Sequence, residues 1–148
     1  MKTFDYFSSV DKEYWLSKIA ESDWGAGKYL HYLLSKNKLC DLVGNAHVLL
    51  LADGKELLGF CTLSEKDDIQ PTDLCPWIGF LYIFPNYRGK RLSENLLSQA
   101  EARAKENGAA TVYISTNHIG LYEKYGYSFL CEMNDIEGEP SRIYTKNL

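Results

Sequence analysis

Apolar positions along this chain change period several times, and each change marks an element. Residues 11–20 and 25–38 read as helices; in the second, Tyr29, Leu30, Leu33 and Leu34 recur at helical spacing. "HVLLLA" (47–52) is a short buried strand, "ADGK" (52–55) supplies a hairpin turn, and "ELLGFCTL" (56–63) is the return strand. A polar loop, "SEKDDIQPTDLCP" (64–76), then leads into "WIGFLYIF" (77–84), which is apolar on both faces and so belongs at the centre of a sheet. The next helix spans roughly 91–107, with Leu92, Leu96, Leu97, Ala100 and Ala104 as its buried stripe and "NG" at 107–108 as its stop. "ATVYIST" (110–116) is a strand and "GLYEKYG" (120–126) a short helix ending in glycine. "YSFLCEM" (127–133) and "SRIYTKN" (141–147) are the closing strands.

This order of elements shows no repeat, linker or low-complexity tract, and 148 residues fit one domain, 1–148. A hydrophobic fraction of 45% is enough for a packed core. The longest apolar run, Trp77 to Phe84, is too short to span a bilayer, and the N-terminal residues lack the apolar stretch of a signal peptide. The expectation is a cytoplasmic protein with no membrane partner. Cys40, Cys61, Cys75 and Cys131 form no C-x-x-C pair and read as reduced thiols, mostly core filler. His31, His47 and His118 are scattered without metal-ligand spacing. A net charge of -4 argues against nucleic-acid binding, so any basic cluster serves a local anion.

One such cluster exists. "YRGKRLSENLL" (87–97) packs Arg88, Gly89, Lys90 and Arg91 between the apolar strand and the long helix. A helix start presents unpaired N–H groups and the positive end of its dipole, and such an end binds phosphate. Gly89 allows close backbone approach, the three cations would add charge-assisted bonds to a diphosphate, and Ser93 would either cap the helix or donate to a phosphate oxygen. A solvated basic turn is the alternative for the cluster taken alone. Neither G-x-x-x-x-G-K-[ST] nor G-x-G-x-x-G is present.

Taken together with "VYISTNHIGLYEKYGY" about twenty residues later, the cluster resembles the GNAT family of acyl-CoA-dependent N-acetyltransferases. The family's pyrophosphate loop, Q/R-x-x-G-x-G/A, falls here on Arg88, Gly89, Lys90, Arg91, Leu92 and Ser93, with Arg91 where glycine is usual and Ser93 where glycine or alanine is usual. The second signature falls on Asn117, Leu121, Tyr122, Glu123, Lys124, Gly126 and Tyr127. The resemblance covers roughly residues 46–133. It implies an α+β fold: a mixed, largely antiparallel twisted sheet of six to seven strands, splayed at its centre, with helices on both faces.

The resemblance also implies acetyl-CoA as co-substrate. Its pantetheine would pair with the strand backbone at Tyr82 and Ile83, with Phe84 nearby, and an N–H near Tyr82 would stabilise the oxyanion. Arg88 to Ser93 would hold the pyrophosphate, Asn117 would bond the pantetheine arm, and Lys124 joins the binding set. Tyr122 matches the tyrosine that protonates the thiolate leaving group; as a plain residue it is also a fair core aromatic. Tyr125 and Tyr127 read as packing.

A base is needed as well, because amines arrive protonated. Strand 77–84 has no carboxylate. Glu65, Asp67, Asp68 and Asp73 in the preceding loop are candidates, and equally a solvated acidic loop. His118, directly after Asn117, is another, since histidine is intrinsically suited to acid–base work. Trp24 and Trp77 would wall an acceptor pocket or fill the core. The acidic loop hints at a cationic small-molecule amine acceptor, and residues 23–34 would help to shape its site. Many GNAT members dimerise, so a homodimer is compatible with the resemblance. A non-catalytic acyl-CoA-binding sensor is the alternative function.

Overall fold

Asp53 and Gly54, the latter at φ +60, close the hairpin between β2 (Ala46–Asp53) and β3 (Glu56–Ser64). The computed structural model describes all residues from 1 to 148. Seven strands form one sheet in the order β1-β2-β3-β4-β5-β7-β6, where β1 is Lys2–Asp5, β4 Trp77–Ile83, β5 Thr111–Thr116, β6 Ser128–Asn134 and β7 Pro140–Asn147. Every pairing is antiparallel except β4 with β5. The helices are α1 (Lys12–Ile19), α2 (Gly25–Ser35), α3 (Leu39–Val43) and α4 (Leu92–Glu106). None is long and apolar enough to cross a membrane.

The continuous apolar run of β2 is explained by cover on both faces. Leu49 and Leu51 join the core under α4, with Leu96, Leu97, Ala100 and Ala104. Val48 and Leu50 join the opposite core with Ile19 of α1 and Leu30 and Leu33 of α2. Side chains that alternate along a strand thus reach two separate hydrophobic layers.

Several local expectations change. The first residues form an edge strand, β1, which depends on a distant contact. Asp5 is buried, accepts from the Phe7 N–H at 3.0 Å, and lies 2.7 Å from His47 Nδ1. The second helix ends at Ser35, three residues before 38, because Asn37 turns left-handed at φ +56; α3 follows as a separate turn. The segment 120–126 holds a 3-10 turn, Tyr122–Tyr125. Only Cys61 is a core thiol; Cys131 is half-buried, and Cys40 and Cys75 are exposed.

Two irregularities open the sheet at its centre. Thr62 faces Gly79 and Phe60 faces Tyr82, so β4 carries one residue more than β3 across that interval. The bulge places Phe80 at φ +50, a left-handed conformation that a bulky residue rarely adopts. On the other side, β4 pairs with β5 only at Trp77 and Tyr113, where the Tyr113 N–H bonds Pro76 O at 3.1 Å. Beyond that point the parallel strands diverge.

Candidate active site

The divergence opens two adjoining clefts, of about 610 and 710 Å³, which share Trp24, Leu81, Ser93 and His118. The first lies over the basic loop. Gly89 sits at φ +81 and Arg91, which begins α4, at φ 59, both left-handed. This backbone leaves the N–H groups from Gly89 to Glu94 without a partner in the protein, as a helix start with no side-chain cap must. Ser93 lies inside the helix and makes no capping bond, so of its two expected roles the cap is excluded. Arg88 folds back: its Nε donates to Ile83 O at 2.8 Å and its guanidinium lies 5.4 Å from the centre of the Tyr82 ring. Arg91 is 73% exposed and pairs with Glu94, Nε to Oε2 at 2.6 Å.

β4 forms the wall between the clefts. The Phe84 N–H bonds Leu58 O at 2.9 Å, on the β3 side. In an antiparallel ladder alternate residues face the same neighbour, so Leu81 and Ile83 turn their backbone groups toward the gap beside β5. The Tyr82 side chain points the other way. It stacks on Trp24 at 5.5 Å and 6°, and its hydroxyl donates to Asp23 Oδ1 at 2.7 Å. That bond, with Arg88 and Lys28 adding to it, holds the Asp23 carboxyl below its ordinary range. Asp23 opens the segment 23–34 expected to shape the site, but nothing in the sequence marked it individually. Trp24 lines the site, whereas Trp77 is sealed in the core and donates its indole N–H to Leu74 O at 2.7 Å.

The acidic loop divides. Glu65 is exposed, accepts from the Asn45 N–H, and lies outside both clefts; Asp73 is exposed and also outside them. Asp67 and Asp68 line the second cleft. The loop there is fastened: Gln70 Nε2 donates to Leu42 O at 2.9 Å and to Asp67 O at 2.8 Å, and the Ile136 N–H bonds Asp68 O at 2.7 Å. Asp67 lies against β4, with Oδ1 only 2.7 Å from where a Cβ at Gly79 would stand. Burial first, then the Asp68 charge, raises its carboxyl to about 8. Asp68 is raised mainly by burial, with Asp135 and Glu137 adding and the Ser115 hydroxyl opposing. Asp135 and Glu137, on the β6–β7 turn, line the cleft too, and no Lys or Arg does.

Tyr122 is 8% exposed and borders the same cleft. Its ring packs 6.1 Å from Tyr127 and 6.5 Å from Tyr144. Burial, with smaller effects from Cys61, Tyr125 and Asp67, pushes its hydroxyl up to about 12. Tyr127 is buried and donates to Glu101 Oε2 at 2.7 Å, a packing role. Tyr125 is half-buried and packs against the core as expected, and with the exposed Lys124 it also lines the first cleft. Asn117 and His118 are exposed at the end of β5, and the His118 N–H bonds Thr116 Oγ1 at 3.1 Å.

The sequence model of the acetyltransferase (GNAT) family matches residues 8–127. The chain belongs to the GNAT family. The family uses acetyl-CoA as co-substrate. No curated protein sequence is significantly similar to the chain. Among solved structures, an aminoglycoside 6'-acetyltransferase type Ii is 19% identical, with a TM-score of 0.72 over 99% of this chain and 97% of that one. An acyl-CoA N-acyltransferase from Pseudomonas aeruginosa is 22% identical, with a TM-score of 0.67 over 98% and 97%. An acetyltransferase from Bacillus anthracis, solved with acetyl coenzyme A, is 18% identical, with a TM-score of 0.58 over 70% and 63%. These similarities show the same GNAT fold, with its mixed sheet and the helices on both faces.

Proposed function

We propose that the chain transfers the acetyl group of acetyl-CoA to a primary amine of a cationic small molecule or peptide by direct attack. The observation that carries this reading is the position of the β4–β5 gap. On one side lies the row of unpaired N–H groups from Gly89 to Glu94, on the other a cleft bordered by Asp67, Asp68, Asp135 and Glu137 without a cation.

The diphosphate of the co-substrate fits the first side. Gly89 to Ser93 offer backbone N–H groups, Lys90 and Arg91 offer charge, and Arg88 ties the loop to the strand end. The pantetheine arm then runs along β4 as an added strand, met by the gap-facing backbone of Leu81 and Ile83 beside Tyr82. Asn117 reaches the arm from β5, and Lys124 adds charge over the loop. Tyr122 holds a proton for the sulfur that leaves.

Acetylation of a panel of amines, including spermidine, kanamycin and a lysine peptide, tests the reading through release of free CoA thiol. Turnover of at least one polycation, with calorimetric binding of acetyl-CoA much tighter than of ATP, is the expected result. Tight acetyl-CoA binding without turnover of any amine would make the chain a non-catalytic acyl-CoA-binding module. Preference for ATP would remove the acyl-CoA reading.

Arg91→Gly separates charge from backbone strain in the loop. Glycine relieves a left-handed residue, about 1 kcal/mol, but adds chain entropy to the unfolded state, roughly 0.7 kcal/mol. Thermal stability should therefore stay within about 0.5 kcal/mol. CoA affinity should fall about fivefold, because one exposed cation near a diphosphate is worth about 1 kcal/mol. Paired melting and calorimetry experiments check both numbers.

A further inference from the structure

We infer that Asp67 is the general base of the transfer, delivered onto β4 by the β3–β4 loop, with Asp68 as the neighbour that tunes it. This inference rests on the acetyl-transfer reading above and names a residue for it.

β4 has no carboxylate of its own, and its one ionisable side chain, Tyr82, is turned away to Asp23. Asp67 supplies from outside the strand what the strand lacks. Position 79 is glycine, and a Cβ there would stand 2.7 Å from Asp67 Oδ1 and 3.1 Å from Oδ2. Only a residue without a side chain lets the carboxylate lie on the strand at this level. The next residue, Phe80, is the left-handed one at the bulge, where the strand parts from its neighbour. Asp67 thus sits where the gap begins, in the cleft that Tyr122 also borders. Its carboxylate makes no side-chain bond that would occupy it, and the loop that carries it is held by Gln70 and by the buried Ile69. Asp68 Oδ1 is buried beside it without a hydrogen-bond partner.

The charged and titratable groups around Asp67 come from four directions. Asp68 adjoins it on the loop, and Tyr122 faces it from the 3-10 turn. His118 borders the cleft from the end of β5, and Asp135 and Glu137 do so from the β6–β7 turn. Burial and the Asp68 charge raise the Asp67 carboxyl and outweigh the Asp68 backbone N–H that lowers it, which leaves a stronger base than an ordinary aspartate. A stronger base suits a proton that must come from an ammonium group.

The proton and bond balance closes. The acceptor arrives as an ammonium ion, and the Asp67 carboxylate takes one N–H proton. The freed nitrogen pair forms the C–N bond at the acetyl carbonyl carbon. The C–S bond breaks, its electron pair leaves on the CoA sulfur, and Tyr122 gives that sulfur a proton. The second proton of the nitrogen returns to the Tyr122 oxygen. Asp67 releases its proton to solvent, so one proton is liberated per amide formed.

The test is the pH dependence of kcat/KM, measured with the fastest acceptor of the amine panel, for the native enzyme and three variants. The native profile should rise with pH through about 8. Asp67→Asn should lose this limb and at least 100-fold in rate, with acetyl-CoA binding unchanged by calorimetry. Asp68→Asn should keep most of the high-pH rate and move the limb toward lower pH, since a like charge is removed. Gly79→Ala leaves Asp67 in the chain but displaces its carboxylate, and should resemble Asp67→Asn. An Asp67→Asn enzyme that keeps the limb and more than a third of the rate overturns the assignment while leaving acetyl transfer intact. An Asp68→Asn limb that does not move overturns the tuning role. Absence of turnover in the native enzyme overturns the acetyl-transfer reading itself.

Discussion

Tyr122→Phe should lower kcat by about 100-fold and leave acetyl-CoA affinity within about twofold. The hydroxyl borders the cleft and has no protein partner, so its removal orphans nothing and should cost less than about 1 kcal/mol of stability. The size of the kinetic effect follows from the acidity of the group. Burial holds the phenol at about 12, whereas a thiol leaving group has a pKa near 8.5. Full transfer from phenol to thiolate is therefore uphill by about 3.5 units, unless the same oxygen recovers a proton from the nitrogen as the C–S bond breaks. That coupling places the contribution at the lower end of the usual range of about 10² to 10⁴ for acid–base catalysis. A phenol this weak stays protonated throughout the practical pH range, so the native profile should show no falling limb below about pH 11 from this group. The variant should keep the rising limb near pH 8, because that limb belongs to another residue. Equal kcat for variant and native enzyme at every pH would reduce Tyr122 to a core aromatic.

What could be read from the residues divides along range of interaction. The stripe of Leu92, Leu96, Leu97 and Ala100, and the glycine-bearing basic turn ahead of it, are local patterns, and α4 with its left-handed start appears where they put it. β2 was legible because a run apolar on both faces has few other solutions. β1 was not, since its four residues are held by Asp5 reaching His47 and by pairing with β2, neither of which leaves a local periodicity. The acidic loop shows the limit most clearly. Glu65, Asp67, Asp68 and Asp73 are chemically alike in a polar stretch. What separates them is fastening by Gln70 to Leu42 and by Ile136 to Asp68, contacts made across the fold. One local signal did exist. Gly79 interrupts an otherwise bulky strand, and a glycine inside a strand marks close approach by another group. Nothing in the sequence announced that Phe80, rather than Gly79, would take the left-handed conformation at the bulge.

Asp67→Asn should raise thermal stability at pH 8 while it removes activity. The native fold raises this carboxyl from 3.8 to about 8, chiefly by burial. Between those values the folded protein keeps a proton that the unfolded chain has lost. Stability contributed by the group is therefore full below the unfolded value and declines as pH rises toward the folded one. Above about 8 both states are ionised and the decline stops. At about 1.4 kcal/mol per unit the shift would amount to roughly 6 kcal/mol in a sealed site. The cleft is open to water, which screens the charge, so about 2–3 kcal/mol is the expected penalty. An asparagine has the shape of the protonated aspartate and no charge to desolvate. At about 2–4 °C per kcal/mol for a chain of this size, its melting temperature should exceed the native one by roughly 5–10 °C at pH 8. The gap should shrink steadily toward pH 4, where the native carboxyl is protonated in the folded state and the unfolded chain, close to its own value of 3.8, is only about half ionised. Melting curves of both proteins from pH 4 to 9 measure it directly. A constant gap would mean that asparagine stabilises by packing; no gap would mean that Asp67 ionises freely and is not pressed against β4. A gap that opens with pH would locate the energetic cost of this fold at the residue assigned to take the acceptor's proton, an ionisable group kept where packing alone would prefer a neutral one.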